Sequence, residues 1–229
     1  MNSKILLVAS FSALALSACG GDSDNDDMSA QRSYELTLVN TMANQPLAPA
    51  AIILHGSDYQ PWYLGEPASP GLEMLAESGS PADLLAEASE ADSTQSDGIL
   101  MPGHSAQVSI STMDDAHKYL SVATMPVNTN DAFVGLNTMA LDKLEPGQSM
   151  SVSLMIYDAG TEANSESSAS IPGPAAGGEG YNADRDDLVD AVRIHAGVVS
   201  MDDGYDDSAL DQSHRFDQGG LRLVVTRSE

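Results

Sequence analysis

Two stretches of this chain space their acids as cation ligands are spaced. Asp22, Asp24 and Asp26 alternate as the opening ligands of a calcium loop do, and Asp202-Asp203-Gly204-Tyr205-Asp206-Asp207 sets four carboxylates about a glycine turn. The first stretch fails as an EF-hand. Asp27 stands where the sharp turn needs glycine, and Ser33 stands where a bidentate glutamate should close the shell. The second reads as a solvated acidic loop or as a weaker cation site.

Acyl-transfer chemistry needs a nucleophile, a base and an oxyanion hole, usually announced by G-x-S-x-G. Gly103-His104-Ser105 and Gly147-Gln148-Ser149 begin that way, but Gln107 and Ser151 occupy the final glycine positions, so both read as polar turns entering strands. The five histidines, at 55, 104, 117, 195 and 214, show no close zinc spacing. His195 lies in an apolar pattern and reads as a hydrogen-bonded core or rim residue, and Trp62 beside Tyr63 reads as packing more than as a sugar platform. No glycine-rich turn ends in Lys followed by Ser or Thr, so phosphate-loop chemistry is excluded.

Charge narrows the partners. With 34 Asp and Glu against 9 Lys and Arg, a formal charge of -25, the chain repels nucleic acid and anionic lipid, and divalent cations become plausible companions. The single cysteine, Cys19, permits no intramolecular disulfide and no thiolate cluster. Its setting gives it another role. Lys4, the apolar run Ile5 to Leu16 and the small residues before Cys19 form an export signal, and Leu16-Ser17-Ala18-Cys19 resembles the bacterial lipobox, in which the cysteine is acylated and becomes the mature N-terminus. Residues 1–18 are therefore expected to be a lipoprotein signal peptide, and 19–31 an acidic flexible tether. By resemblance to lipoproteins of two-membrane bacteria, Gly20 after the cysteine favours the outer membrane, on its periplasmic or surface face.

The elements that must position any site follow from Arg32 onward. Short β-branched or alternating runs at 34–40, 50–55, 106–111, 119–125, 149–157, 192–199 and 221–226 are separated by turn signals such as Pro102-Gly103 and Pro146-Gly147. Many short strands with long loops predict an all-β antiparallel sandwich over 32–229. A short helical insert is expected where Leu72, Leu75 and Ala76 share one face and Leu84, Leu85 and Ala88 another. The stretch 165–180, SESSASIPGPAAGGEG, reads as a loop.

Several pieces, in order, resemble the spondin domain, a module of extracellular-matrix and bacterial envelope proteins. They are Tyr34-Glu35-Leu36-Thr37-Leu38-Val39-Asn40 with Pro46-Leu47-Ala48-Pro49, then Gly65-Glu66-Pro67-Ala68-Ser69 and Leu75-Ala76-Glu77-Ser78-Gly79. The most specific are Thr129-Asn130-Asp131-Ala132-Phe133-Val134-Gly135 and Tyr157-Asp158-Ala159-Gly160-Thr161-Glu162-Ala163-Asn164. The resemblance implies a C2-like β-sandwich with one bound calcium, held by Asp131 from the first motif and by Asp158 and Glu162 from the second. Glu162 replaces an aspartate of vertebrate members. The chemistry agrees, since calcium wants several carboxylate oxygens and Gly160 lets the backbone wrap back on a cation. A local alternative is that Asp131 and Asp158 only cap their own turns.

The functional expectation is a non-catalytic, calcium-binding adhesion or recognition module of the cell envelope, anchored to the membrane by lipid and binding a protein or glycan. The alternatives are an envelope hydrolase using His104 or His195 with a serine, and a structural lipoprotein in which a metal only staples loops.

Overall fold

The computed structural model describes residues 30–185, 187–217 and 219–229. The export signal, Cys19 and most of the expected tether lie outside these residues.

Among the described residues nine strands, β1 (Arg32–Asn40), β2 (Ala51–His55), β3 (Asp92–Gln95), β4 (Ser105–Thr112), β5 (Tyr119–Thr124), β6 (Ala132–Ala140), β7 (Ser149–Asp158), β8 (Arg193–Ile194) and β9 (Leu221–Arg227), pair antiparallel throughout. Their order is β3-β2-β5-β6-β7-β9-β1-β4, with β8 beside β7, so the sheet folds on itself into a nearly closed sandwich. The all-β expectation and its small helical insert are met. The insert is α1 (Pro70–Ser78) and α2 (Ala82–Glu87).

Alternation along the strands explains the layers. Tyr34, Leu36 and Leu38 of β1, Ile52 and Leu54 of β2, and Leu223 and Val225 of β9 fill the interior between the two halves of the sheet. Ala51 and Ile53 of β2 and Phe133 of β6 point the other way, into a second core under the helices with Leu72, Leu75, Leu84 and Trp62. With both faces covered, β2 is buried along its whole length. Trp62 sits edge-on to Phe133 at 5.0 Å between ring centres and is 5% exposed, so it is packing.

Two expectations shift. The run 192–199 yields only the two residues of β8, because β9 already occupies the same edge of β7 up to Leu154, where Gly220 N–H binds the Leu154 carbonyl. The motif around Asp131 opens a nine-residue strand, β6, whose Phe133 and Val134 feed the two different cores.

Candidate metal centre

The end of β7 and the start of β6 bring two acids together. Ala132 pairs with Asp158, so Asp131, one residue before the ladder, lies beside the turn that β7 runs into. That turn is built by backbone donors. Asp158 Oδ1 accepts from Gly160 N–H at 2.8 Å, and Asp131 Oδ2 accepts from Thr161 N–H at 2.7 Å and Glu162 N–H at 3.1 Å. Gly160 has φ +75, and a Cβ there would lie 2.5 Å from the Ala191 carbonyl oxygen, so the turn requires glycine for conformation and for space.

A third acid comes from the loop before β8. Asp131, Asp158 and Asp187 each offer a carboxylate oxygen, all within 4.8 Å of one another. The helical insert positions this loop: Arg185 pairs with Glu73 of α1, and Asn182 N–H donates to Glu77 Oε2 of α1 at 2.8 Å. Glu162 is buried beside the trio and gives Asp131 its backbone N–H, but the close group of three contains Asp187 in its place.

One guanidinium pairs with two of the three carboxylates. Arg193 Nη2 lies 2.9 Å from Asp158 Oδ2 and 2.5 Å from Asp187 Oδ2. Asp158 Oδ2 also accepts from Asn164 Nδ2 at 2.6 Å, and Asp187 Oδ1 accepts from Val189 N–H at 3.1 Å. Asp131 Oδ1 differs: on a residue with no exposed surface, it has no hydrogen-bond donor among the described residues. Burial, reinforced by the charge of Asp158, pushes the Asp131 carboxyl up to about 7 despite the two N–H groups that favour its ionised form. Asp158 is also raised, by burial against the opposing pull of Asn164 and Arg193. A dehydrated acid trio with an oxygen that has no donor among the described residues has the donor chemistry that a hard divalent ion would accept.

The other candidates separate cleanly. Ser105 opens β4 and Ser149 opens β7, where its Oγ is 2.7 Å from Thr226 Oγ1. His104 is exposed in the turn before β4. His195 is buried, its Nδ1 accepts from Gly197 N–H at 2.9 Å, and desolvation, helped by Arg193, drives it down to about 4. A Ser–His pair does exist elsewhere, with His55 Nε2 2.9 Å from Ser121 Oγ. Both are 1% exposed, His55 Nδ1 is tied to the Gly56 carbonyl, and Ser121 Oγ accepts from Thr138 N–H, so the hydroxyl is locked inside the sheet. No helix among the described residues is long and apolar enough to cross a membrane.

The sequence reading named Asp131, Asp158 and Glu162 and did not name Asp187 or Arg193, which the structure places beside the first two. In a chain with only 9 Lys and Arg, each arginine beside acids is a signal, and Asp187-Leu188-Val189-Asp190-Ala191-Val192-Arg193 carried one.

The fold is an all-β module, a nearly closed antiparallel sandwich with an acid cluster where β7 ends. A family model described as Spondin_N matches residues 48–175, more than half of the chain, and the chain belongs to that family. The matched span includes Asp131, Asp158 and Glu162 and ends before Asp187 and Arg193. No curated protein matches the chain.

Proposed function

We propose that this chain is a calcium-dependent, non-catalytic recognition module of the bacterial cell envelope, carried on a lipid at Cys19, for a protein or glycan partner. Asp131 and Asp158 would hold the ion, with Asp187 as the third carboxylate and Glu162 as the longer arm the family resemblance assigns. An ion held there would supply the positive charge that lets these buried carboxylates stay ionised, and its ligands would come from the start of β6, the end of β7 and the loop before β8. The observation that carries the reading is Asp131 Oδ1, a buried carboxylate oxygen without a donor among the described residues, beside two further acids.

Binding to the folded state alone adds about 2.7 kcal/mol when free calcium is roughly a hundred times the dissociation constant. The test is a calorimetric calcium titration with melting curves on wild type and Asp158→Ala. Wild type should bind calcium and melt higher with it, and respond little to magnesium, which demands a tighter octahedral shell. Equal responses from the two proteins would falsify the site. For the envelope partner, a pull-down from intact envelopes with and without chelator asks whether any ligand is retained only when calcium is present. Intact mass of detergent-extracted protein tests the acylated Cys19, and an unlipidated chain beginning after it would refute the anchor.

A further inference from the structure

Resting on the calcium reading, we propose that Arg193 is the cluster's built-in cation and competes with calcium for Asp158 and Asp187, so that the ion binds fully only as the guanidinium is released.

The argument starts from how many partners each oxygen can take. A carboxylate oxygen has about two acceptor sites. Asp158 Oδ2 uses one on Asn164 Nδ2 at 2.6 Å and meets Arg193 Nη2 at 2.9 Å, so it has no vacant direction while Arg193 is in place. Asp187 Oδ2 is held by the same nitrogen, and Asp187 Oδ1 by Val189 N–H. Of the trio's oxygens, Asp131 Oδ1 alone has no donor among the described residues. A metal approaching the trio therefore finds one oxygen without a donor and two facing a positive charge, which also repels it at short range.

Release is built into the position of Arg193. Its side chain is 35% exposed, whereas those of Asp158 and Asp187 are 2% and 8% exposed. The long arginine stem can carry its head into water, where a guanidinium is always charged and needs no partner, while the acids have nowhere to go. Its second nitrogen, Nη1, donates to two backbone carbonyls, Val189 O at 3.0 Å and Ala191 O at 3.5 Å, bonds that are readily exchanged for water. With the arginine in, two acids are paired and the fold is held without metal. With it out, three carboxylates face one divalent ion.

The test uses the full chain and two measurements. In chelator, Arg193→Gln should lower the melting temperature clearly in the wild-type background and little in an Asp158→Asn/Asp187→Asn background, because the charges it served are gone. An equal drop in both backgrounds would show that Arg193 does not serve these acids, and would overturn the proposal. In calcium titrations, Arg193→Gln should bind about tenfold more tightly than wild type. Equal or weaker binding by the variant leaves the calcium site standing and removes Arg193 as its competitor. Calcium bound by neither protein sinks the calcium reading, and the competition with it. Should Arg193→Gln not fold, Arg193→Lys, which keeps the charge but loses the planar fork, replaces it in both measurements. A smaller gain in calcium affinity is then expected, and no gain overturns the proposal.

Discussion

The cluster of Asp131, Asp158 and Asp187 and the run from Asp202 to Asp207 are both acidic and both built on a left-handed glycine, Gly160 and Gly204. They differ in everything else. In the run, Asp203 accepts from Ser200 N–H at 3.0 Å and Ser200 Oγ at 2.8 Å and pairs with Arg215, and Asp202 accepts from Gln212 N–H at 2.9 Å, all at the exposed surface. Bonds from the Ser200 backbone and hydroxyl hold the Asp203 carboxyl below its ordinary value, whereas burial pushes Asp131 and Asp158 above theirs. Acid density along a sequence therefore says little about a cation site. What sets the trio apart is that its acids are withdrawn from water and one of their oxygens has no donor among the described residues.

The sharpest way to break this contrast is Asp158→Ala, which takes one of the two acid partners of Arg193 and strands Asn164 Nδ2 and Gly160 N–H at once. In chelator it should cost about 3 kcal/mol in urea unfolding, and the calcium-dependent rise in melting temperature should vanish. Gly160→Ala follows, at about 2 kcal/mol or more with weakened calcium binding, because its Cβ meets the Ala191 backbone at 2.5 Å in addition to the backbone strain.

Glu166 separates burial from clustering. It is 2% exposed, outside the trio, and desolvation raises its carboxyl to about 7 against one bond from Val199 N–H. The folded state then holds its proton more tightly than the unfolded state, so this group's contribution falls as pH rises from about 4.5 to 7 and stays unfavourable above. Glu166→Gln should stabilise the protein by roughly 2 kcal/mol at pH 8, by nothing at pH 4.5, and leave calcium binding unchanged, as denaturant curves at the two pH values would show. Gly204→Ala, with φ +87 but open space around its Cβ, should cost only about 1 kcal/mol. Smallest of all, Asp203→Asn should leave the calcium response of the melting curve unaltered.

The strands of the sandwich were legible because alternation and turn chemistry report a half-buried sheet directly: Tyr34 to Asn40, Ser149 to Tyr157 and Leu221 to Thr226 all lie in strands. β3 escaped because Asp-Ser-Thr-Gln has no apolar face to read; it pairs with β2 through its backbone. In the centre, Asp131 and Asp158 were visible because each stands in a compact motif. Asp187 was not, since its place depends on Arg185 and Asn182 gripping α1 more than a hundred residues earlier. Such long-range docking leaves no local period.

β7 also fixes where the acid cluster stands along the molecule. Ser149 pairs with Thr226, and Arg227 pairs with Tyr34, so β7 begins at the end of the sandwich where the chain enters at Arg32. Ten residues later, about 30 Å away at strand spacing, it ends at Asp158. An anchor attached ahead of Arg32 would hold the protein by one pole and present the cluster at the other. A pull between membrane and partner would then run along β1, β9 and β7, loading their ladders in shear so that many hydrogen bonds share the force. The same sandwich pulled across its strands would open one bond at a time, so with an anchor at that pole the placement of the two ends would make the module a mechanical strut.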